Sequence, residues 1–250
     1  MSRNLLPLLL FFAILFAPVT ILAQTALPDT GFVKQSVDGA VQAYRNAVGS
    51  HAHLYNGPEY FVSIRPYVKG HQFFKEKSFV KGAVLYDGAW FYEVPMTYDV
   101  ALDEVVIAHA GGGYSQMLVK PKVKEFLLSG HTFVHLNTDS VAGTRLQAGF
   151  YDLMYDGSVK MLVRRKKVLK EQATSAGIEG EFNVEDAYYL WKDGKYYEVG
   201  SKHSVLKVLG GEKKLLNKFA RTNGLRFKKQ REEAIFKITH YYDTLEPKEQ

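Results

Sequence analysis

Residues 81–94 read KGAVLYDGAWFYEV. Two apolar, aromatic-rich runs flank the pair Asp87-Gly88. In a two-residue hairpin loop both central residues take positive φ, which Gly adopts freely and Asp tolerates. Counting outward from that turn, Leu85 faces Trp90, and Ala83, Tyr92 and Val94 fall on the same side of the sheet. The pattern returns at Tyr155-Asp156-Gly157 and at Lys192-Asp193-Gly194, where Trp191 faces Tyr196 by the same count. Phe91-Tyr92-Glu93-Val94 and Tyr196-Tyr197-Glu198-Val199 are alike too, so similar hairpins are reused.

Between these turns the sequence predicts strands at Thr97–Val100, Glu104–Ala108, Met117–Val119, Val123–Leu128 and Thr132–Leu136. Pro95 cannot donate to a ladder and marks an edge or a bulge. Glu171–Glu181, polar and glycine-containing, reads as a surface loop. On either side of this body the period becomes helical. Within Gly31–Gly49, Val37, Val41, Tyr44 and Val48 form one stripe. In the tail, Leu215, Leu216, Phe219 and Ala220 form a second stripe that stops at Asn223-Gly224. Ala234, Ile235, Ile238, Tyr241, Tyr242 and Leu245 form a third, ended by Pro247. The opposite faces carry Lys213, Lys214, Lys218, Lys229 and Lys237. Such short helices are marginal in water alone, so their apolar stripes must dock on the β-region. The fold class is α+β. One domain is expected over residues 24–250, with an N-terminal helix, an antiparallel β-rich body to about residue 200, and a C-terminal pair of amphipathic helices.

The composition suits one sizeable core: of 250 residues 46% are hydrophobic, 14% aromatic and 23% charged. That is neither a disordered nor a collagen-like chain. The absence of cysteine excludes a disulfide framework, cysteine-ligated zinc or iron–sulfur centres, a thiol nucleophile and lipoprotein acylation. Arg3 precedes an apolar stretch, Leu5–Leu22, interrupted only by Pro7, Pro18 and Thr20. With Ala23-Gln24 as the cleavage point, residues 1–23 read as a signal peptide, the alternative being an uncleaved anchor. The expected address is periplasmic or secreted, with no transmembrane span once the signal is removed. The net charge of +6 is concentrated at the end of the chain, where 13 Lys/Arg stand against 7 Asp/Glu from Lys195 onward. A local basic run also occurs at Arg164-Arg165-Lys166-Lys167. In an exported protein such a surplus reads as a solvated helical face, and no nucleic-acid partner is expected.

Several short motifs recur in one order: Tyr55-Asn56-Gly57, Gly70-His71, Tyr86-Asp87-Gly88, Tyr98-Asp99 with Asp103-Glu104, Phe150-Tyr151 with Tyr155-Asp156-Gly157, and Tyr241-Tyr242. This succession resembles a family of uncharacterised exported bacterial proteins. The resemblance spans nearly all of the chain beyond the signal segment and implies secretion and a single-domain architecture. It supplies no catalytic residue.

Chemistry-bearing constellations are sparse. His51-Ala52-His53 has ligand-like spacing: on an extended segment both rings point to one side, about 6.6 Å apart. A metal there needs a third ligand that the sequence does not identify. His131 and His135 lie on a predicted strand, which holds them roughly 13 Å apart. Asp103-Glu104, if extended, point to opposite faces, which argues against a close carboxylate pair. Gly111-Gly112-Gly113 lacks the Lys-Ser/Thr ending of a phosphate loop and reads as a flexible hairpin loop. Trp90, Tyr92, Trp191 and Tyr196 offer flat rings for a sugar or a partner surface, or else fill the core face. No cofactor is called for by these motifs. The reading that best fits is a non-enzymatic exported binding or scaffolding protein of the cell envelope, with an envelope protein or a glycan as partner. The alternative is an envelope hydrolase, whose metal-dependent form would take His51 and His53 as ligands.

Overall fold

The computed structural model describes residues 35–37, 39–40, 43–44, 53–137 and 146–245. The chain divides into two compact units, Met1–Ala47 and Val48–Gln250. In the first, all described residues are helical, inside the predicted N-terminal helix, and Val37 and Tyr44 are exposed. Val41 and Val48 of that stripe lie outside the described residues, as does the signal segment.

The second unit is built on a ten-stranded sheet in which every neighbouring pair is antiparallel. Its strands are β2 (Val80–Tyr86), β3 (Ala89–Asp99), β4 (Glu104–Ala108), β5 (Ser115–Met117), β6 (Val123–Leu128), β7 (His131–Leu136), β8 (Gly149–Asp156), β9 (Lys160–Arg164), β12 (Ala187–Lys192) and β13 (Lys195–Val199). The spatial order is β13-β12-β9-β8-β7-β6-β2-β3-β4-β5. The first four strands meander to one edge; β6 then returns to the free side of β2 and the remaining strands meander to the other. A small second sheet joins β1 (Val68–Lys69), β11 (Gly177–Val184) and β10 (Lys167–Thr174).

Two of the Asp-Gly turns form as the sequence predicts. Asp87 and Gly88 take φ 51° and 80°, Asp193 and Gly194 φ 51° and 75°. Leu85 pairs with Trp90 and Trp191 with Tyr196. The expected common face fails at one residue. Glu93 takes φ 55° and the register slips between Gly82 and Val84, a bulge just before Pro95. Beyond it Val94 turns inward beside Phe91, while Trp90 and Tyr92 stay outside.

Other corrections have local causes. Glu171–Glu181 is no loop: β10 and β11 form a hairpin whose two faces are both largely wet, so no polar–apolar alternation appears. Thr97–Val100 continues β3, and the strand expected at Met117–Val119 lies earlier, at Ser115–Met117. The tail holds three helices instead of two: α1 (Lys202–Leu209), α2 (Lys213–Thr222) and α3 (Arg231–Leu245). α1 starts with a reciprocal cap in which the Ser201 hydroxyl accepts from the Ser204 amide at 3.2 Å and the Ser204 hydroxyl accepts from the Ser201 amide at 3.1 Å.

The cross-strand pairs separate the sheet into two sides. On one, Val84, Tyr86, Phe91, Val94, Met96, Phe126 and Phe133 form a core closed by Leu54 and Phe74. Further along the same side, Met161, Val163 and Leu190 meet Leu206, Leu209, Leu216, Ile235, Ile238 and Tyr242 of the helices. Each such buried side chain contributes roughly 1.5–3 kcal/mol. Leu216 and Ala220 are buried as the stripe predicts and Phe219 stacks on Tyr241 at 4.0 Å, but Leu215 is 43% exposed. On the opposite side Leu146, Tyr151, Leu162 and Tyr189 form a smaller cluster. Among the described residues no helix is long and apolar enough to cross a membrane.

Candidate functional site

Following the pairs Trp90–Leu85–Glu125–Val134–Tyr151 across five strands places Trp90 on the same side of the sheet as the Tyr151 cluster. Trp191 and Tyr196, half-buried, pack against that cluster. All four aromatic candidates therefore share the side away from the helices. They do not meet, because six strand spacings separate β3 from β12, about 29 Å. The two pairs differ in setting. Trp191 and Tyr196 lean on Leu162 and Tyr189 as core residues do, with the Lys160 ammonium 5.8 Å from the Trp191 ring. Trp90 and Tyr92 stand side by side, rings 5.9 Å apart and 15° from parallel, with Tyr92 49% exposed. Ala83 pairs with Leu127, which is 41% exposed. Trp90, Tyr92, Leu85 and Leu127 thus form an apolar patch with Glu125 at its side.

His53 lies in a single 3₁₀ turn, His53–Tyr55, its ring 6.0 Å from Tyr86 and 5.3 Å from Phe91. His51 lies outside the described residues. Among the described residues no group of three or more His, Asp or Glu is placed to hold a metal ion. His131 and His135 do lie on one strand, β7; the first meets Asp152 at 2.8 Å and the second packs on Phe150. Gly112 and Gly113 take φ 74° and 87° in the β4–β5 loop.

Two polar clusters were not assembled by the sequence. The first surrounds Arg165. Its guanidinium donates to Asp152 (2.8 and 2.5 Å), Asp186 (2.9 Å) and Glu232 (2.5 and 3.1 Å), and its side chain is only 9% exposed. Burial alone would lower the Arg165 pKa, yet the three carboxylates hold it above its usual value. Arg165 thereby joins β8, the loop before β12 and the first turn of α3. The basic run Arg164–Lys167 is not a basic patch at all, because neighbours at a strand end project to alternating sides. Arg164 donates to Gln147, Arg165 is enclosed, and the Lys167 ammonium donates to the carbonyls of His71 and Phe73.

The second cluster corrects the reading of Asp103-Glu104. Asp103 takes φ 60° in the turn after β3, so strand alternation does not govern it. Both carboxylates reach one ammonium, Lys120 lying 3.4 Å from Asp103 and 3.0 Å from Glu104. Asp103 also accepts from Tyr98 at 2.6 Å and from the Phe150 amide. Burial raises the Glu104 pKa against the pull of Lys120, and burial lowers that of nearby His135.

Three of the short sequence motifs form joints of this fold. A Cβ at Gly57 would overlap the Met117 carbonyl, and Asp99 accepts from the Ala101 and Leu102 amides. The remaining pair, Asp156-Gly157, has no positive φ; Gly157 suits the site because the Asp243 carboxylate of α3 and the Tyr155 ring edge lie where its Cβ would be. Asp243 accepts from the Tyr155 hydroxyl at 2.7 Å and from the amide and hydroxyl of Ser158. Comparison with known proteins found no matching family, no similar curated protein and no similar solved structure.

Proposed function

We propose that this is an exported, non-enzymatic binding protein of the bacterial envelope that docks an envelope protein or a glycan on the open side of its sheet. The observation that carries the reading is the Trp90–Tyr92 pair with Leu127. A protein able to bury Val84, Phe91 and Val94 one or two residues away leaves Tyr92 and Leu127 exposed and Trp90 half-buried, on the side of the sheet away from α1, α2 and α3. Exposed aromatic clusters on a rigid scaffold mark interaction sites. The buried polar groups support the same reading, since Arg165 and Asp103 are held in structural bonds.

Photo-crosslinking in cells from position 127 tests it. A specific, repeated partner is expected, lost in the Trp90→Ala/Tyr92→Ala variant at unchanged melting temperature. Absence of a specific adduct in the wild-type background overturns the site. Reproducible turnover in a broad hydrolase screen, lost in Glu104→Gln or His135→Ala, would replace the reading with that of an envelope hydrolase centred on the Lys120 cluster.

A further inference from the structure

We infer that the helical end of the body docks on the surface of an anionic lipid bilayer. Within the tail the positive charge is concentrated in one segment: residues 213–231 hold eight Lys/Arg and no Asp or Glu. Of the acids that follow, Glu232 is turned to Arg165, Glu233 to Lys237, and Asp243 to Tyr155 and Ser158. Lys213, Lys214, Lys218, Lys228, Lys229 and Arg231 are all exposed, and among the described residues none of them forms an ion pair. They fall within one stretch of chain, from α2 through the turn to the start of α3. A surface with such a surplus of exposed, unpaired cations is complementary to a polyanion.

The apolar groups beside these cations select the bilayer among polyanions. Leu215, 43% exposed, is the i,i+3 neighbour of Lys218 on the outer face of α2. At the start of α3 a groove of about 660 Å³ is lined by Met154, Tyr188 and Phe236, with Lys228, Lys229 and Arg231 beside Glu232 and Glu233. A soluble polyanion uses the charges alone, whereas a lipid surface uses charges around an apolar element that reaches the headgroup–acyl boundary. Because the apolar stripes Leu216/Ala220 and Ile235/Ile238 are already buried on the sheet, the helices present this face as a fixed surface and need not detach. The inference is independent of the Trp90 patch, which uses the other side of the sheet.

The test uses the chain from Gln24 onward, since the apolar stretch Leu5–Leu22 would itself hold the chain on any bilayer. The part removed lies outside the compact unit Val48–Gln250. Cosedimentation is measured with vesicles of phosphatidylcholine alone and with added phosphatidylglycerol, at low and high salt. Binding is expected only with phosphatidylglycerol and is released by salt. At about five-fold per basic residue, Lys214→Gln/Lys218→Gln/Lys229→Gln lowers it on the order of 100-fold with the melting temperature unchanged. Leu215→Ser weakens it further. Equal binding to both vesicles, no binding to the anionic ones, or indifference to the triple substitution overturns the inference. Dextran sulfate holding the protein as tightly as the vesicles, with Leu215→Ser silent, also overturns it and assigns the face to soluble polyanions.

Discussion

On the helix-bearing side of the sheet Asp152 is 1% exposed, and Ile238 of α3, packed against that side, is fully buried, while on the other side Tyr92 keeps 49% of its surface in water. Both sides are made by the same alternation along the same strands. The difference lies in what arrives later in the chain. Three helices close one side over the second half of the sheet, and polar ties fix them there: Arg165 to Glu232, Tyr155 and Ser158 to Asp243, and Lys192 to the Leu209 carbonyl (2.8 Å) and the Tyr242 hydroxyl (2.7 Å). On the closed side Arg165, Tyr155 and Lys192 are bonded to the helices, whereas on the other side Tyr92 and Leu127 stay exposed.

The sharpest way to break that contrast is to remove Arg165. Arg165→Leu leaves Asp152, Asp186 and Glu232 crowded without their cation, at a cost of about 3–5 kcal/mol. Urea unfolding measures it, and a loss below about 1 kcal/mol would show that the network is not a tie. Next in size, Ile238→Ala removes a fully buried side chain and should cost about 2–5 kcal/mol. A chain ending at Gly200 should expose the Met161–Leu190 face and aggregate or melt earlier. Full thermal stability of that truncation would mean the helices are accessories, and the closed side would be closed by nothing essential.

The two kinds of Asp-Gly turn can be separated by one cycle. Gly194→Ala strains a residue at φ 75° and costs about 1 kcal/mol wherever it is measured. Gly157→Ala instead displaces the Asp243 carboxylate, so its cost should shrink in an Asp243→Ala background while that of Gly194→Ala should not. Equal costs in both backgrounds would remove the close-approach explanation. Smaller still, Trp90→Ala/Tyr92→Ala should change stability by no more than about 1 kcal/mol, since these rings are half in solvent on the open side. A loss of several kcal/mol would make them core.

What the sequence showed and what it hid follow from the range of the forces involved. The Asp87-Gly88 and Asp193-Gly194 turns, the strand character of His131–Leu136 and the stop at Asn223-Gly224 are local, set by φ preferences and periods within a few residues. α1 was locally legible too: Val205, Leu206 and Leu209 sit at helical spacing after Ser201, a signal outweighed by the hairpin pattern just before it. The functions of Gly157 and Arg165 were not legible, because each depends on α3, far along the chain. The same holds for Asp103 and Glu104, whose convergence depends on Lys120 and on one residue in a left-handed turn. Of the candidate site, the aromatic residues were legible, but the bulge at Glu93, which turns Val94 into the core and away from Trp90 and Tyr92, was not.

The smallest effect tests a single tie between the two regions from both ends of the pH scale. Burial works against the charged form of Asp243, but hydrogen bonds from Ser158 and Tyr155 outweigh it and hold its pKa below the ordinary 3.8. A depressed carboxylate stabilises the fold fully above its unfolded value, and the contribution disappears as pH falls through the lower folded value. For Tyr155, burial and then the Asp243 bond push the phenol up to about 12 from 10.0. A raised group behaves in the opposite sense: its contribution is complete below pH 10.0 and is lost as pH rises toward about 12. One hydrogen bond should therefore appear on both limbs of a melting-temperature profile. Asp243→Asn should narrow the gap to wild type below pH 3.8, and Tyr155→Phe should flatten the alkaline limb above pH 10.0. Parallel profiles for wild type and both variants would mean that α3 is held by its apolar stripe, Arg165 and Lys192, with Asp243 merely resting on the hairpin.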